Sequence, residues 1–364
     1  LFLLQLCAIV AIFVGDRQQN TRYPIWSFLL CLSLPIFQKI GAEPLVDIPL
    51  GLYIGIAFSL LVDLIENNFS GVNILQTGVV LGLALGTKYN AIPAVFFLLL
   101  TFFVYGGRKG VTFGSQFRAV AIISAIALFL FSPWLIKNYY WTNNPLYPFF
   151  QAASADGSPQ EESFIKVHAL EYRHLHYGED LLDIVAIPFR MILSGKDGSP
   201  QYFDAVLSPI LIVAFLSLFY LKKKEWSLWA FLFSISYFIF SILSTSARTR
   251  YLIPISVPVI ALTILSIAKV YSIKGKIGKT LVFALLGIHL VFSGSYVMSH
   301  LEKLRLFSYL QGDIQEDEYL GRYVKEYGLI QFVNSALSKD SSSQVYLLAT
   351  GNRFFYYTVS IAGA

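Results

Sequence analysis

Pro44-Leu-Val-Asp-Ile-Pro-Leu-Gly-Leu-Tyr-Ile-Gly-Ile-Ala-Phe-Ser-Leu-Leu-Val-Asp-Leu-Ile-Glu66 decides the class of this protein. From Ile48 the run carries no charge until Asp63, and about 20 apolar residues are what an α-helix needs to cross roughly 30 Å of hydrocarbon. Pro49 in its first turn is tolerated in a helix. The rest of the chain has the same character. Of 364 residues 56% are apolar and 13% are charged, against about 45–50% and about 25% in an ordinary soluble domain. Mean hydropathy is +0.62. With 31 Phe, 22 Tyr and 5 Trp besides, the composition is that of an integral membrane protein.

Outward from that run, ten stretches approach spanning length once tilt and snorkelling are allowed. They are Leu1–Val14, Tyr23–Ile40, Ile48–Ile65, Ile74–Gly86, Ile92–Tyr105, Ala119–Ile136, Phe203–Leu221, Trp226–Leu243, Tyr251–Ala268 and Thr280–Met298. The expected fold is therefore an all-α polytopic membrane protein of about ten spans. The fourth stretch is short, and Gly78, Gly82 and Gly86 in it would let a neighbouring helix approach closely. Leu1 already lies in an apolar run, with no Met or basic segment before it. That reads as a chain missing its beginning and not as a signal peptide.

Lys and Arg are sorted by loop. Twelve fall on one side of the predicted membrane, including Arg17, Arg108, Lys109, Lys222, Lys223, Lys224, Lys274 and Lys279, while the short loops of the other side hold Lys39, Lys88, Arg248 and Arg250. The positive-inside rule makes the twelve-charge side cytoplasmic. Residues 138–202, expected to carry interfacial helices at Ser163–Tyr177 and Leu181–Ile192, then lie outside, as does everything from residue 300 onward. The sequon Asn68-Phe69-Ser70 falls inside and should go unused. Residues 1–299 form the membrane module. In the tail, Glu316–Leu337 has helical spacing and Val345–Ala349 a strand pattern, which suits the start of an extracytoplasmic α/β domain over 300–364. A net charge of +5, dispersed among loops, argues against nucleic acid as a partner. Cys7 and Cys31, each in an apolar run, make no disulfide framework and no metal-ligand spacing.

Chemistry-bearing residues gather at the predicted outer face. Asp47, with Glu43, stands at the mouth of the third span, where a carboxylate either caps the helix N-terminus or serves a site. Lys88, in Gly86-Thr-Lys-Tyr89, suits a lipid phosphate or simple snorkelling. Arg248 and Arg250, beside Tyr251, are two guanidinium groups on the side that positive charge avoids, suited to bidentate capture of a phosphate or to head-group anchoring. Phe131–Pro148 is an interfacial aromatic belt. His174 and His176, close to Glu171, Glu179 and Asp180, do not have zinc spacing, because residues i and i+2 leave a helix on different faces. His289, in mid-span, reads as packed and hydrogen-bonded.

The order of motifs resembles one superfamily. Pro44-Leu-Val-Asp47-Ile-Pro-Leu, Gly82-Leu-Ala-Leu-Gly-Thr-Lys88-Tyr, Pro133-Trp-Leu-Ile-Lys137-Asn with Asn144-Pro-Leu-Tyr-Pro148-Phe, and Arg250-Tyr-Leu-Ile-Pro254 together look like a bacterial GT-C glycosyltransferase. That superfamily includes protein O-mannosyltransferases and the lipid A aminoarabinose transferase. The resemblance implies transfer of a sugar, with inversion, from a polyprenyl-phosphate donor to an acceptor hydroxyl of a lipid, glycan or protein at the outer face of the cytoplasmic membrane. By the same resemblance Asp47 matches the second acidic position of the family, with Glu43 beside it, and Lys88, Arg248, Arg250 and Tyr251 match positions suited to the donor phosphate. The usual catalytic base, an Asp in the first outer loop, has no counterpart in this sequence, so the chain alone should be inactive. No cofactor is implied with certainty, and room is left for a divalent cation.

The rival class is a non-catalytic polytopic protein of envelope polysaccharide export, such as a flippase or a polymerase-like transporter. Ion-coupled transport normally uses charged groups in mid-span, and this chain has almost none, which favours the enzyme.

Overall fold

The computed structural model describes residues 1–364 except 18–20, 67–68, 148, 150–168, 220–224, 245–246, 274–275, 325, 338–344, 347–360 and 363–364. Asn68 of the sequon, Lys222, Lys223, Lys224 and Lys274 of the basic loops, Ser163 to His168 of the first interfacial stretch and Leu347 to Ala349 of the strand pattern thus lie outside the described residues. The chain divides into two compact units, Leu1–Gly294 and Ser295–Ala364.

The first unit is helical. In order it contains α1 (Phe2–Arg17), α2 (Arg22–Ser33), α3 (Pro35–Ala42), α4 (Asp47–Glu66), α5 (Gly71–Thr87), α6 (Ala91–Lys109), α7 (Phe113–Thr142), α8 (Ala169–Tyr177), α9 (Leu181–Val185), α10 (Ile187–Leu193), a 3-10 run at Pro209–Phe219, α11 (Trp226–Ser244), a 3-10 turn at Thr249–Ile255, α12 (Ser256–Tyr271) and α13 (Ile277–Lys303), whose last turns enter the second unit. Each of the ten apolar stretches has a helical counterpart here. Six helices among the described residues are long and apolar enough to cross a bilayer, or seven if a bent pair counts as one span, so the architecture is all-α and polytopic while the full ten is not reached.

The departures have local causes. Tyr23–Ile40, expected as one span, breaks into α2 and α3 with a 59° bend. Leu34 is extended at the break and Pro35 opens α3, because proline has no N–H to continue the ladder and pushes the preceding residue out of the helical region. Phe203–Leu221, also expected as a span, becomes helical only from Pro209 and then as a 3-10 run of 11 residues. At the other extreme α7 runs for 30 residues with Pro133 inside it.

Burial separates inner from outer helices. Of the spanning window from Thr249 to Tyr271, 83% of residues are buried, and of α4 67%, against 22% for α7 and 17% for α13. An all-round apolar helix such as α12 belongs in the middle, while α7 and α13 keep apolar faces for lipid. Around α4 the core is aromatic: Phe58 lies 5.0 Å from Trp229, Trp229 stacks on Tyr105 at 5.2 Å, and the Trp229 indole N–H donates to Thr101 Oγ1 at 2.8 Å. Cys7 and Cys31 are both buried in this core.

Gly78 and Gly82 do admit α7, as the small-residue pattern predicts. A Cβ at either would stand 2.7 Å from the Cβ of Ile126 or Leu130. Gly86 of the same pattern faces open space.

The second unit holds α14 (Leu306–Leu310), α15 (Glu316–Tyr323), α16 (Tyr327–Leu337) and two short parallel strands, β1 (Val345–Tyr346) paired with β2 (Ile361–Ala362). The single helix expected over Glu316–Leu337 is thus two, parted near Glu326, which has a left-handed φ of 66°.

Candidate functional site

Asp47 is the first residue of α4, yet its carboxylate does not cap that helix. It is 2% exposed, and Oδ1 accepts a 2.8 Å hydrogen bond and ion pair from Lys88 Nζ. Lys88 is placed by the end of α5: the residue after Thr87 is extended, and its side chain reaches the start of α4. Oδ2 of Asp47 is buried without a hydrogen-bond partner among the described residues. A half-satisfied carboxylate in a low-dielectric setting is costly, so a further donor there would be bound strongly.

Lys88 also lies 5.0 Å from the centre of the Tyr251 ring, and the Arg250 guanidinium lies 5.3 Å from the same centre. The negative face of a phenol ring attracts both cations, which lets two like charges share a neighbourhood. Tyr251 is itself held, because Tyr237 of α11 donates its hydroxyl to the Tyr251 carbonyl at 3.0 Å. The 3-10 turn Thr249–Ile255 therefore gathers Lys88, Arg250 and Tyr251 around the Asp47 end of α4.

The two arginines, alike in sequence, part here. Arg248 Nη1 stands 3.5 Å from Asp204 Oδ2. Arg250 instead lines a small polar cavity of about 40 Å³ with Lys39, Glu43 and Asp204, and its Nε has no hydrogen-bond partner among the described residues. Glu43, expected beside Asp47, is exposed and belongs to this second cavity. The sequence-predicted residues thus form two adjoining groups, Asp47–Lys88–Tyr251 and Glu43–Arg250, linked through the Tyr251 ring.

Lys39 and Asp204 were not singled out from the sequence. Lys39 lies 3.2 Å from Asp197, and its Nζ donates to the Asp204 carbonyl at 3.2 Å, across 165 positions of chain. No local spacing signals such a pair. A much larger cavity, about 200 Å³ and almost wholly apolar, adjoins the same turn, with Leu34, Met191, Leu211, Phe238, Leu252 and Ile253 among its walls.

The histidine pair makes local contacts. His174 Nδ1 pairs with the Glu179 carbonyl at 2.8 Å, and His176 stacks on Tyr172. Among the described residues no three His, Cys, Asp or Glu side chains converge as a metal site. Glu179 instead receives Arg173 Nε at 2.7 Å and Arg190 Nη2 at 2.9 Å, both from the segment between α7 and the Pro209 run. Burial pushes its carboxyl up, but those two guanidinium groups outweigh that and hold it below the usual glutamate range.

No curated protein and no solved structure matches the chain. Residues 1–137 match the dolichyl-phosphate-mannose-protein mannosyltransferase family. The matched stretch takes in Glu43, Asp47 and Lys88 and ends before Arg248, Arg250 and Tyr251. Over that first part the chain is similar to a family of membrane glycosyltransferases of the GT-C type, and the helical, apolar architecture is in keeping with the likeness.

Proposed function

We propose that the protein moves a sugar from a polyprenyl-phosphate-linked donor to an acceptor hydroxyl of a lipid, glycan or protein, with inversion, at the outer face of the cytoplasmic membrane. One observation carries this reading. The turn Thr249–Ile255 sends Arg250 into a polar cavity and Leu252 and Ile253 into an apolar one about 200 Å³ in volume. An anionic head joined to a long apolar chain is the ligand chemistry that fits two such cavities side by side.

In this reading Lys88, Arg250 and Tyr251 hold the donor phosphate. The bond from the anomeric carbon to the phosphate oxygen breaks, the phosphate leaves with the electron pair, and the two cations stabilise its growing charge. The acceptor oxygen forms the new bond and its proton passes to a carboxylate base. Asp47 occupies a second acidic position, accepting from Lys88 on one oxygen and offering the other to acceptor or donor. Arg248 steadies the phosphate end through its neighbours. Residues 300–364 begin an α/β domain on the same outer side.

The test is sugar transfer by the full-length protein in proteoliposomes, with a labelled polyprenyl-phosphate sugar as donor. Arg250→Gln should raise the donor KM at least tenfold. Movement of the lipid-linked sugar across the bilayer without any transfer would overturn the reading in favour of a transporter.

A further inference from the structure

Phe203 and Asp204 are consecutive non-glycine residues with left-handed φ angles of 66° and 55°. Two such residues in a row are uncommon, and backbone strain of this kind persists only where the surroundings over-determine it. The surroundings are evident. Phe203 is fully buried, its carbonyl accepts from Thr249 N–H at 2.9 Å, and Arg173 lies 4.7 Å over its ring. Asp204 N–H donates to the Ser199 carbonyl at 3.0 Å, and its Oδ1 accepts from Gly198 N–H at 3.0 Å.

What the strained corner achieves is the placement of one carboxylate. Asp204 borders the small polar cavity, its Oδ2 faces Arg248 at 3.5 Å, and Lys39 stands 4.0 Å from its Oδ1. Arg248 and Lys39 each thereby have a carboxylate partner, and Arg250 faces the same cavity; the Nε atoms of both arginines are without a hydrogen-bond partner among the described residues. The charged side chains around the space are Lys39 and Arg250 against Glu43 and Asp204, so the wall carries no net charge. A volume of about 40 Å³ also leaves little room.

We propose that Asp204 is a specificity-determining residue that limits the anionic site to a single phosphate. This rests on the reading above, in which Arg250 meets a lipid phosphate. A second phosphate would lie against the Asp204 carboxylate and find Arg248 and Lys39 already engaged, and like-charge opposition of this kind is how sites reject a near-identical ligand. Removing the charge frees Arg248 and weakens the preference, while Lys39 keeps Asp197 at 3.2 Å.

The experiment measures binding of two lipids of equal chain length, a polyprenyl monophosphate and a polyprenyl diphosphate, to the full-length protein in nanodiscs. Wild type should favour the monophosphate at least tenfold. Asp204→Asn, which tolerates the left-handed backbone and can still accept from Gly198, should cut that ratio at least fivefold, chiefly by tightening diphosphate binding. Asp204→Gly should cut the ratio equally while melting no lower than wild type, because it removes the strain along with the charge. A ratio unchanged in both variants refutes the role of Asp204 and leaves the donor assignment standing. A ratio that falls only in a variant that also melts lower refutes it equally. Failure of wild type to bind either lipid refutes the donor assignment and this proposal together.

Discussion

Lys88→Met is the perturbation with the clearest expected size. Methionine keeps the length and apolar stem of lysine and removes only the charge. Asp47 would then be 2% exposed with neither oxygen partnered, since Oδ1 loses its 2.8 Å contact and Oδ2 has none among the described residues. Stranding one partner of a buried pair costs about 3–5 kcal/mol. Lys88 is 27% exposed on its side chain, so water can reach the gap and the lower end, about 3 kcal/mol, is expected. Asp47→Asn should cost only about 1 kcal/mol, because the lysine left behind retains solvent and the Tyr251 ring at 5.0 Å. The double variant should be close to Asp47→Asn alone, giving a coupling of about 3 kcal/mol. Reversible unfolding in mixed detergent and SDS micelles, followed by tryptophan fluorescence, reads all four corners of the cycle. A loss below about 0.5 kcal/mol for Lys88→Met, or two single penalties that add, would show that Asp47 is not the buried, half-satisfied carboxylate described here.

Three further outcomes are expected. Gly82→Val should destabilise the membrane unit by about 2–3 kcal/mol, because a Cβ there meets Leu130 Cβ at 2.7 Å and α5 cannot back away without parting from α7, whereas Gly86→Val, facing open space, should be nearly neutral in the same unfolding assay. Glu179 is held below the usual glutamate range, so its contribution is fully present above the ordinary value of 4.5 and is lost as pH falls through the lower folded value. Hydrogen exchange in residues 169–204 should accordingly quicken in acid, and Glu179→Gln, weaker at neutral pH, should flatten that dependence. His289→Leu should cost about 2 kcal/mol, since His289 is hydrogen-bonded to Ser33 Oγ at 2.8 Å and to the fully buried Ser208 Oγ at 2.7 Å and its loss takes the partner from the Ser208 hydroxyl; equal stability of wild type and variant would remove the bridge from consideration.

Much of the fold was legible because a bilayer imposes a length and a composition that local sequence must meet. The run from Ile48 to Ile65 had to be a helix, and α4 covers it from Asp47 to Glu66. Summed hydropathy passes over a proline at Tyr23–Ile40 and Phe203–Leu221. Pro35 and Pro209 each open a new element, so the first stretch is a bent pair of helices and the second a 3-10 run of 11 residues. The packing reading of Gly78 and Gly82 depended only on their small size and a period of four, which place them on one face of α5.

The candidate site was legible as a set of residue types at the ends of apolar runs, and not as an arrangement. Charge at a span end is visible in a linear string because its solvation cost is local. Whether Asp47 caps its own helix or turns to Lys88 depends on a residue 41 positions away. Arg248 and Arg250 are interchangeable by pattern, and only the fold sets Arg248 against Asp204 and Arg250 against the Tyr251 ring. Sequence alone put these groups at the ends of apolar runs, because a charge deep in hydrocarbon is costly. Which carboxylate meets which cation was left to the packing of α3, α4, α5 and the Thr249 turn, since Coulomb attraction over a few ångströms depends on position in space and is blind to distance along the chain.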